Sequence, residues 1–225
     1  MPNPFHPSRR RLLAASAFAA TGLSLGFEEA FAQQPTPQCH DGDEPTVRQT
    51  EGPYFKPSSP QRTDLVEPHS KARLVEISGR VLTRTCMPVG RALLDLWHAD
   101  ERGAYDNSGF RYRGHLFTDA EGRYRFATIR PGEYPWGNHY NAWRPAHIHF
   151  SVFGHAFISR LVTQMYFPND PLFPFDPIFN AVTDEKARGR MVSSFDLDNT
   201  QPEWALCYRF DIVLRGRNAT PMETK

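Results

Sequence analysis

Val75-Glu76-Ile77-Ser78-Gly79-Arg80-Val81-Leu82 alternates apolar and polar side chains. Successive side chains of an extended chain point to opposite faces, so Val75, Ile77 and Val81 share one face and Glu76, Ser78 and Arg80 the other. That pattern predicts a strand covering a core on one side. Outward from it the rhythm repeats. Pro88-Val89-Gly90 turns the chain into Ala92-Leu93-Leu94-Asp95-Leu96-Trp97, and Asp119-Ala120-Glu121-Gly122 turns it into Arg123-Tyr124-Arg125-Phe126-Ala127-Thr128-Ile129. After Pro131-Gly132 come strand candidates at Ala146 to Phe153, Leu161 to Phe167 and Tyr208 to Leu214. Short strands separated by turn residues predict an all-β fold, an antiparallel β-sandwich with long loops and little helix. One short helix is expected within Pro177 to Met191, around Asp184-Glu185-Lys186-Ala187-Arg188.

The 225 residues suffice for one sizeable core rather than two full domains. Aromatic residues at 13% and 20 prolines agree with strands and ordered loops. A formal net charge of +1 argues against a nucleic-acid partner, which would call for a basic stripe. Ser8-Arg9-Arg10-Arg11-Leu12-Leu13 opens an apolar run through Phe27, and Ala30-Phe31-Ala32 follows with small residues around Phe31. Residues 1–32 therefore resemble a twin-arginine export signal cut after Ala32, and the run is a poor spanning helix. The expectation is a periplasmic or secreted protein without a membrane anchor after cleavage. Residues 33–48 predict an extended arm, and 49–225 the folded β-sandwich domain. Cys39, Cys86 and Cys207 are too widely spaced for a zinc site; an exported chain could form one disulfide and keep one thiol.

Chemistry concentrates at Arg144-Pro145-Ala146-His147-Ile148-His149-Phe150. In a strand His147 and His149 point the same way, which makes either a metal clamp or a pair of inert histidines. Tyr134-Pro135-Trp136 lies upstream, with Tyr134 held extended by the following proline. Trp97-His98-Ala99-Asp100 leads into Gly103-Ala104-Tyr105. Either tyrosine taken alone fits a structural role better than a functional one.

Taken together, these segments resemble the intradiol ring-cleavage dioxygenases. The resemblance runs from Thr50-Glu51-Gly52-Pro53-Tyr54 to Tyr208 through Gly216, and Tyr134 to Phe150 is most similar to the protocatechuate-cleaving branch. It implies an Fe(III) cofactor held by Tyr105, Tyr134, His147 and His149, with Tyr134 the ligand that substrate displaces. It also implies active-site roles for Arg144 and for Gln164 within Thr163-Gln164-Met165-Tyr166-Phe167. Their bland alternatives are a salt bridge beside the strand and a bond to a neighbour. Tyr112 is the rival to Tyr105, Trp136 is expected to pack beside Tyr134, and His98, His115, His139 and His155 are expected at the surface or behind the ligands. Two phenolates and a hydroxide would neutralise a trivalent ion, whereas zinc takes mainly Cys, His or carboxylate.

The implied reaction is O2-dependent cleavage of a catechol-type diol, protocatechuate giving 3-carboxy-cis,cis-muconate. The implied partners are that small aromatic diol and O2, with a homo-oligomer or a second subunit type around the site. A different class of protein, a secreted β-sandwich that binds a metal or ligand without catalysis, would use the same two histidines and show no O2 uptake.

Overall fold

The computed structural model describes residues 45–137, 140–154 and 160–215. The expected export signal (1–32), most of the expected arm (33–44), Cys39, His139 and His155 lie outside the described residues.

Eleven strands are described. The first sheet contains β1 (Leu74–Thr83), β4 (Arg123–Ile129), β9 (Ser194–Gln201), β10 (Ala205–Arg209) and β11 (Ile212–Leu214). The second has the order β3 (Arg113–Phe117), β2 (Leu93–Trp97), β7 (His147–Phe153), β8 (Arg160–Tyr166). A small ribbon pairs β5 (Tyr134–Pro135) with β6 (Trp143–Arg144). The alternation read from the sequence decides the faces: Val75, Ile77 and Val81 of β1, Tyr124 and Phe126 of β4, Leu94 and Leu96 of β2, and Ile148, Phe150 and Val152 of β7 form one buried core between the sheets. Each large side chain fully buried there contributes about 1.5–3 kcal/mol.

The all-β sandwich is as expected, but its first sheet is mixed rather than wholly antiparallel. β1 pairs antiparallel with β4 and parallel with both β10 and β11. The expected single strand Tyr208 to Leu214 is broken at Phe210–Asp211, where the Asp211 carboxylate, rather than a main-chain carbonyl, accepts the Arg80 N–H at 2.8 Å. Parallel pairing depends on which distant segment lies alongside, and local alternation carries no such information. β3 and β9 escaped the hydrophobic pattern because Arg113, His115, Asp196 and Asp198 interrupt it. The expected helix is two short ones, α1 (Pro177–Asn180) and α2 (Glu185–Gly189), each started by its own capping aspartate, Asp176 and Asp184.

The arm's described end is tied down. Thr46 N–H donates to Val213 O at 2.9 Å and Gln49 N–H to Val162 O at 2.8 Å. This segment continues across the outer face of the second sheet as residues 50–55. Cys86 is disulfide-bonded, and Cys207 is a buried free thiol.

Candidate metal centre

On β7 the inward side chains are core, and the outward ones, His147 and His149, are buried as well, at 2% and 3% exposure. Register sets their neighbours. Trp97 of β2, His149 and Gln164 of β8 form one cross-strand row, and His147 faces Tyr166 in the next. The Trp97 indole stacks on the His149 ring at 4.8 Å and 9°. His147 Nδ1–H donates to Pro145 O at 2.7 Å, which leaves the Nε2 lone pair as the ring's free donor.

Tyr105 arrives from a loop closed by Asp100. The Asp100 carboxylate accepts the Arg102 and Ala104 N–H groups, each at 2.9 Å, and Gly103 supplies a φ of +81°. Gly132 N–H bonds to Asp100 O at 2.8 Å, so the loop that delivers Tyr134 packs on the loop that delivers Tyr105. Tyr54 stacks on the Tyr105 ring at 4.4 Å.

All four residues singled out as metal ligands come together. Tyr105 Oη lies 3.3 Å from His147 Nε2 and 3.1 Å from His149 Nε2. The Tyr134 ring lies 6.0 Å from the Tyr105 ring and nearly perpendicular to it. One phenolic proton cannot serve two imidazole lone pairs at once, and on the other side of its ring His149 Nδ1 is buried without a partner. Hydrogen bonding therefore leaves the cluster under-satisfied, as expected of donors arranged for a cation. Burial, then the Arg144 charge, holds both imidazoles well below their usual pKa, so each is neutral with a lone pair available. Burial raises both phenols, Tyr105 well above the usual range with Tyr134 adding to it. A cation among them would reverse that and favour phenolate. Among the described residues no group of three or more His, Cys, Asp or Glu is placed to hold a metal, so the donor set is two imidazoles and two phenols. That set fits a hard trivalent iron better than zinc.

Arg144 is buried beside the cluster. Nε donates to Asp176 Oδ2 at 3.2 Å, and Nη2 donates to Gln164 Oε1 and, at 3.2 Å, to Tyr166 Oη. Burial opposes its charge, but Tyr166 and Asp176 outweigh this and its pKa is raised. Among the described residues Nη1 carries no bond. Gln164 also donates from Nε2 to Thr50 O at 2.9 Å. A cavity of about 420 Å³ opens onto the cluster, lined among others by Tyr54, Tyr134, Trp136, Arg144, His149 and Ile178. A larger cavity of about 640 Å³, around Arg80 and Arg125, lies away from these groups.

Tyr112 stands elsewhere, stacked on His98 at 5.1 Å. His98 is not at the surface. It is 1% exposed, bonded to Ala99 O and Thr128 Oγ1. His115 bonds to Ser59 O at 2.7 Å, away from the four donors. The sequence reading overlooked Asp176 and Tyr166. Asp176-Pro177 has the form of a helix start, which the sequence does show, but its contact with Arg144 is purely tertiary.

A family model described as "Dioxygenase" matches residues 50–216. The chain is 55% identical over 159 residues to the protocatechuate 3,4-dioxygenase beta chain of Burkholderia cepacia, covering 66% of this chain and 67% of that one. It is 33% identical over 122 residues to the hydroxyquinol 1,2-dioxygenase of Rhizobium sp. (strain MTP-10005), covering 46% of this chain but only 40% of that enzyme. Among solved structures, the dioxygenase domain of a dioxygenase carbohydrate-binding protein fusion from Streptomyces sp. SirexAA-E superposes with a TM-score of 0.64 at 38% identity, covering 76% of this chain and 99% of that one.

Proposed function

Since the chain belongs to the intradiol ring-cleavage dioxygenase family, we propose that it uses Fe(III), held by Tyr105, Tyr134, His147 and His149, to open a catechol-type ring with O2. Protocatechuate is the proposed substrate and 3-carboxy-cis,cis-muconate the product, supported by the likeness to the Burkholderia beta chain. The observation that carries the reading is Tyr105 Oη set within 3.3 Å of both imidazole Nε2 atoms, beside a 420 Å³ cavity that Tyr134 and His149 line.

When bound, the ferric ion would supply Lewis acidity toward the diol and redox contact with O2. The residues of the chain supply the rest. Tyr134 Oη, at the cavity wall, is the phenolic oxygen placed to accept a proton from a substrate hydroxyl. Arg144 is fastened through Nε and Nη2, which leaves Nη1 to meet negative charge as it develops on the ring. Ile178 and Trp136 give the ring an apolar seat and displace water from it.

The leader at 1–32 supports export by the twin-arginine route. Arg9→Lys with Arg10→Lys should hold the protein in the cytoplasm, as cell fractionation would report. The beta-chain relative supports an assembly, either a homo-oligomer or one completed by a second kind of chain. Light scattering of the purified protein distinguishes these. The function itself is tested by iron analysis, a visible spectrum and O2 uptake on a catechol panel. Iron bound with tyrosinate charge-transfer absorption and uptake on protocatechuate is the expected result. A colourless, iron-free protein without uptake would refute it and favour a binding module.

A further inference from the structure

A belt of five groups runs beneath the cavity. Ile178 N–H donates to Asp176 Oδ1 at 2.8 Å, and Asp176 Oδ2 accepts Arg144 Nε–H at 3.2 Å. Arg144 Nη2 then donates to Gln164 Oε1, and Gln164 Nε2 to Thr50 O at 2.9 Å. Ile178 and Thr50 both line the cavity, so the belt joins two of its walls through one buried ion pair. Asp176 is 0% exposed. Its two oxygens do different work, one starting α1 and thereby placing Ile178, the other holding the guanidinium.

We propose that Asp176 is a positioning residue that sets both the aim of Arg144 and the seat of the ring on Ile178. This rests on the catalytic reading of Arg144 above. A carboxylate can satisfy both donors because it has two acceptor oxygens. An asparagine has one. Spent on Ile178 N–H, that oxygen leaves the amide NH2 against Arg144 Nε–H, donor against donor. Asparagine is also as good a helix N-cap as aspartate, so Asp176→Asn keeps the start of α1 while releasing Arg144.

The test compares wild type, Asp176→Asn and Asn180→Ala. Asn180 Nδ2 holds Phe173 O and Asp176 O from an exposed position, so its loss loosens the Asp176 backbone without emptying the core. In Asp176→Asn, bound iron per chain should stay at the wild-type value, while the melting temperature drops by several degrees, because Arg144 loses its buried counter-charge, and stays above the assay temperature. kcat on the best catechol should fall about 10- to 100-fold with a much smaller change in KM. In the iron-free full chain, the Arg144 Nε–H signal, assigned by its absence in Arg144→Lys, should exchange slowly with solvent in wild type and rapidly in Asp176→Asn. Should Asp176→Asn not fold, Asn180→Ala is expected to lower kcat about threefold and speed the same exchange. Unchanged exchange with unchanged kcat per iron would overturn the proposal, as would a loss of activity that only tracks lost iron or lost stability. A wild type that turns over no catechol would sink the functional reading instead, and the Nε–H comparison would still decide whether Asp176 holds Arg144.

Discussion

Gly103→Ala is a sharp test of how the two tyrosine loops are built, because the residue is none of the four candidate ligands and does not line the cavity. Gly103 has a φ of +81°, and a Cβ built on it would stand 2.7 Å from Glu133 O and 2.8 Å from Tyr134 Cβ. A left-handed conformation costs a residue with a side chain about 1–2 kcal/mol, and forced overpacking about 1–3 kcal/mol more. The expected destabilisation is thus about 2–5 kcal/mol, or a melting temperature lower by roughly 5–20 °C for a domain of this size. Opening the 2.8 Å contact to the 3.4 Å where ordinary contact begins moves Tyr134 about 0.6 Å from the Gly103 backbone. Misplacing a reacting group by about 1 Å can cost about 100-fold in rate, so a loss of roughly tenfold in kcat is expected. Differential scanning calorimetry gives the first number, O2 uptake per bound iron the second, and the tyrosinate band should shift or weaken. A variant that melts with wild type and keeps both its spectrum and its kcat would show that the loop contact does not govern Tyr134.

His149→Ala removes one imidazole from the cluster and should abolish stoichiometric iron and visible absorption, as metal analysis of the purified variant would show. Gly79→Ala places a Cβ 1.9 Å from Phe210 O, between β1 and the β10–β11 junction; strand β1 cannot yield there, and a loss of at least about 3 kcal/mol in urea unfolding is expected. Acid should weaken the fold through His98. Burial, assisted by Arg113 and opposed by the bond to Ala99 O, brings its pKa down to about 4 from the ordinary 6.5. The unfolded chain then takes up the proton first as pH falls. The stabilisation is complete above pH 6.5 and is lost progressively toward pH 4, amounting to about 3 kcal/mol. Urea midpoints measured across that window should drop, and flat midpoints would contradict a neutral buried His98.

Strand positions and faces were readable in order along the chain, because a side-chain period of two is a property of the local sequence. β1, β2, β4, β7 and β8 all lie where alternation puts them, and His147 and His149 share a face for that reason. The candidate ligand set was readable too, through the resemblance of whole segments rather than through any spacing rule. What only the tertiary structure decided is how segments far apart in sequence meet: β1 running parallel with β10 and β11, Tyr54 against Tyr105, Trp97 against His149, and Asp176 under Arg144. Asp176 and Arg144 are 32 positions apart, and nothing in either local sequence pairs it with the other. Their pairing follows from burial, since a charge taken out of water must find its counter-charge wherever the packed chain brings one within reach, and no local pattern records that choice.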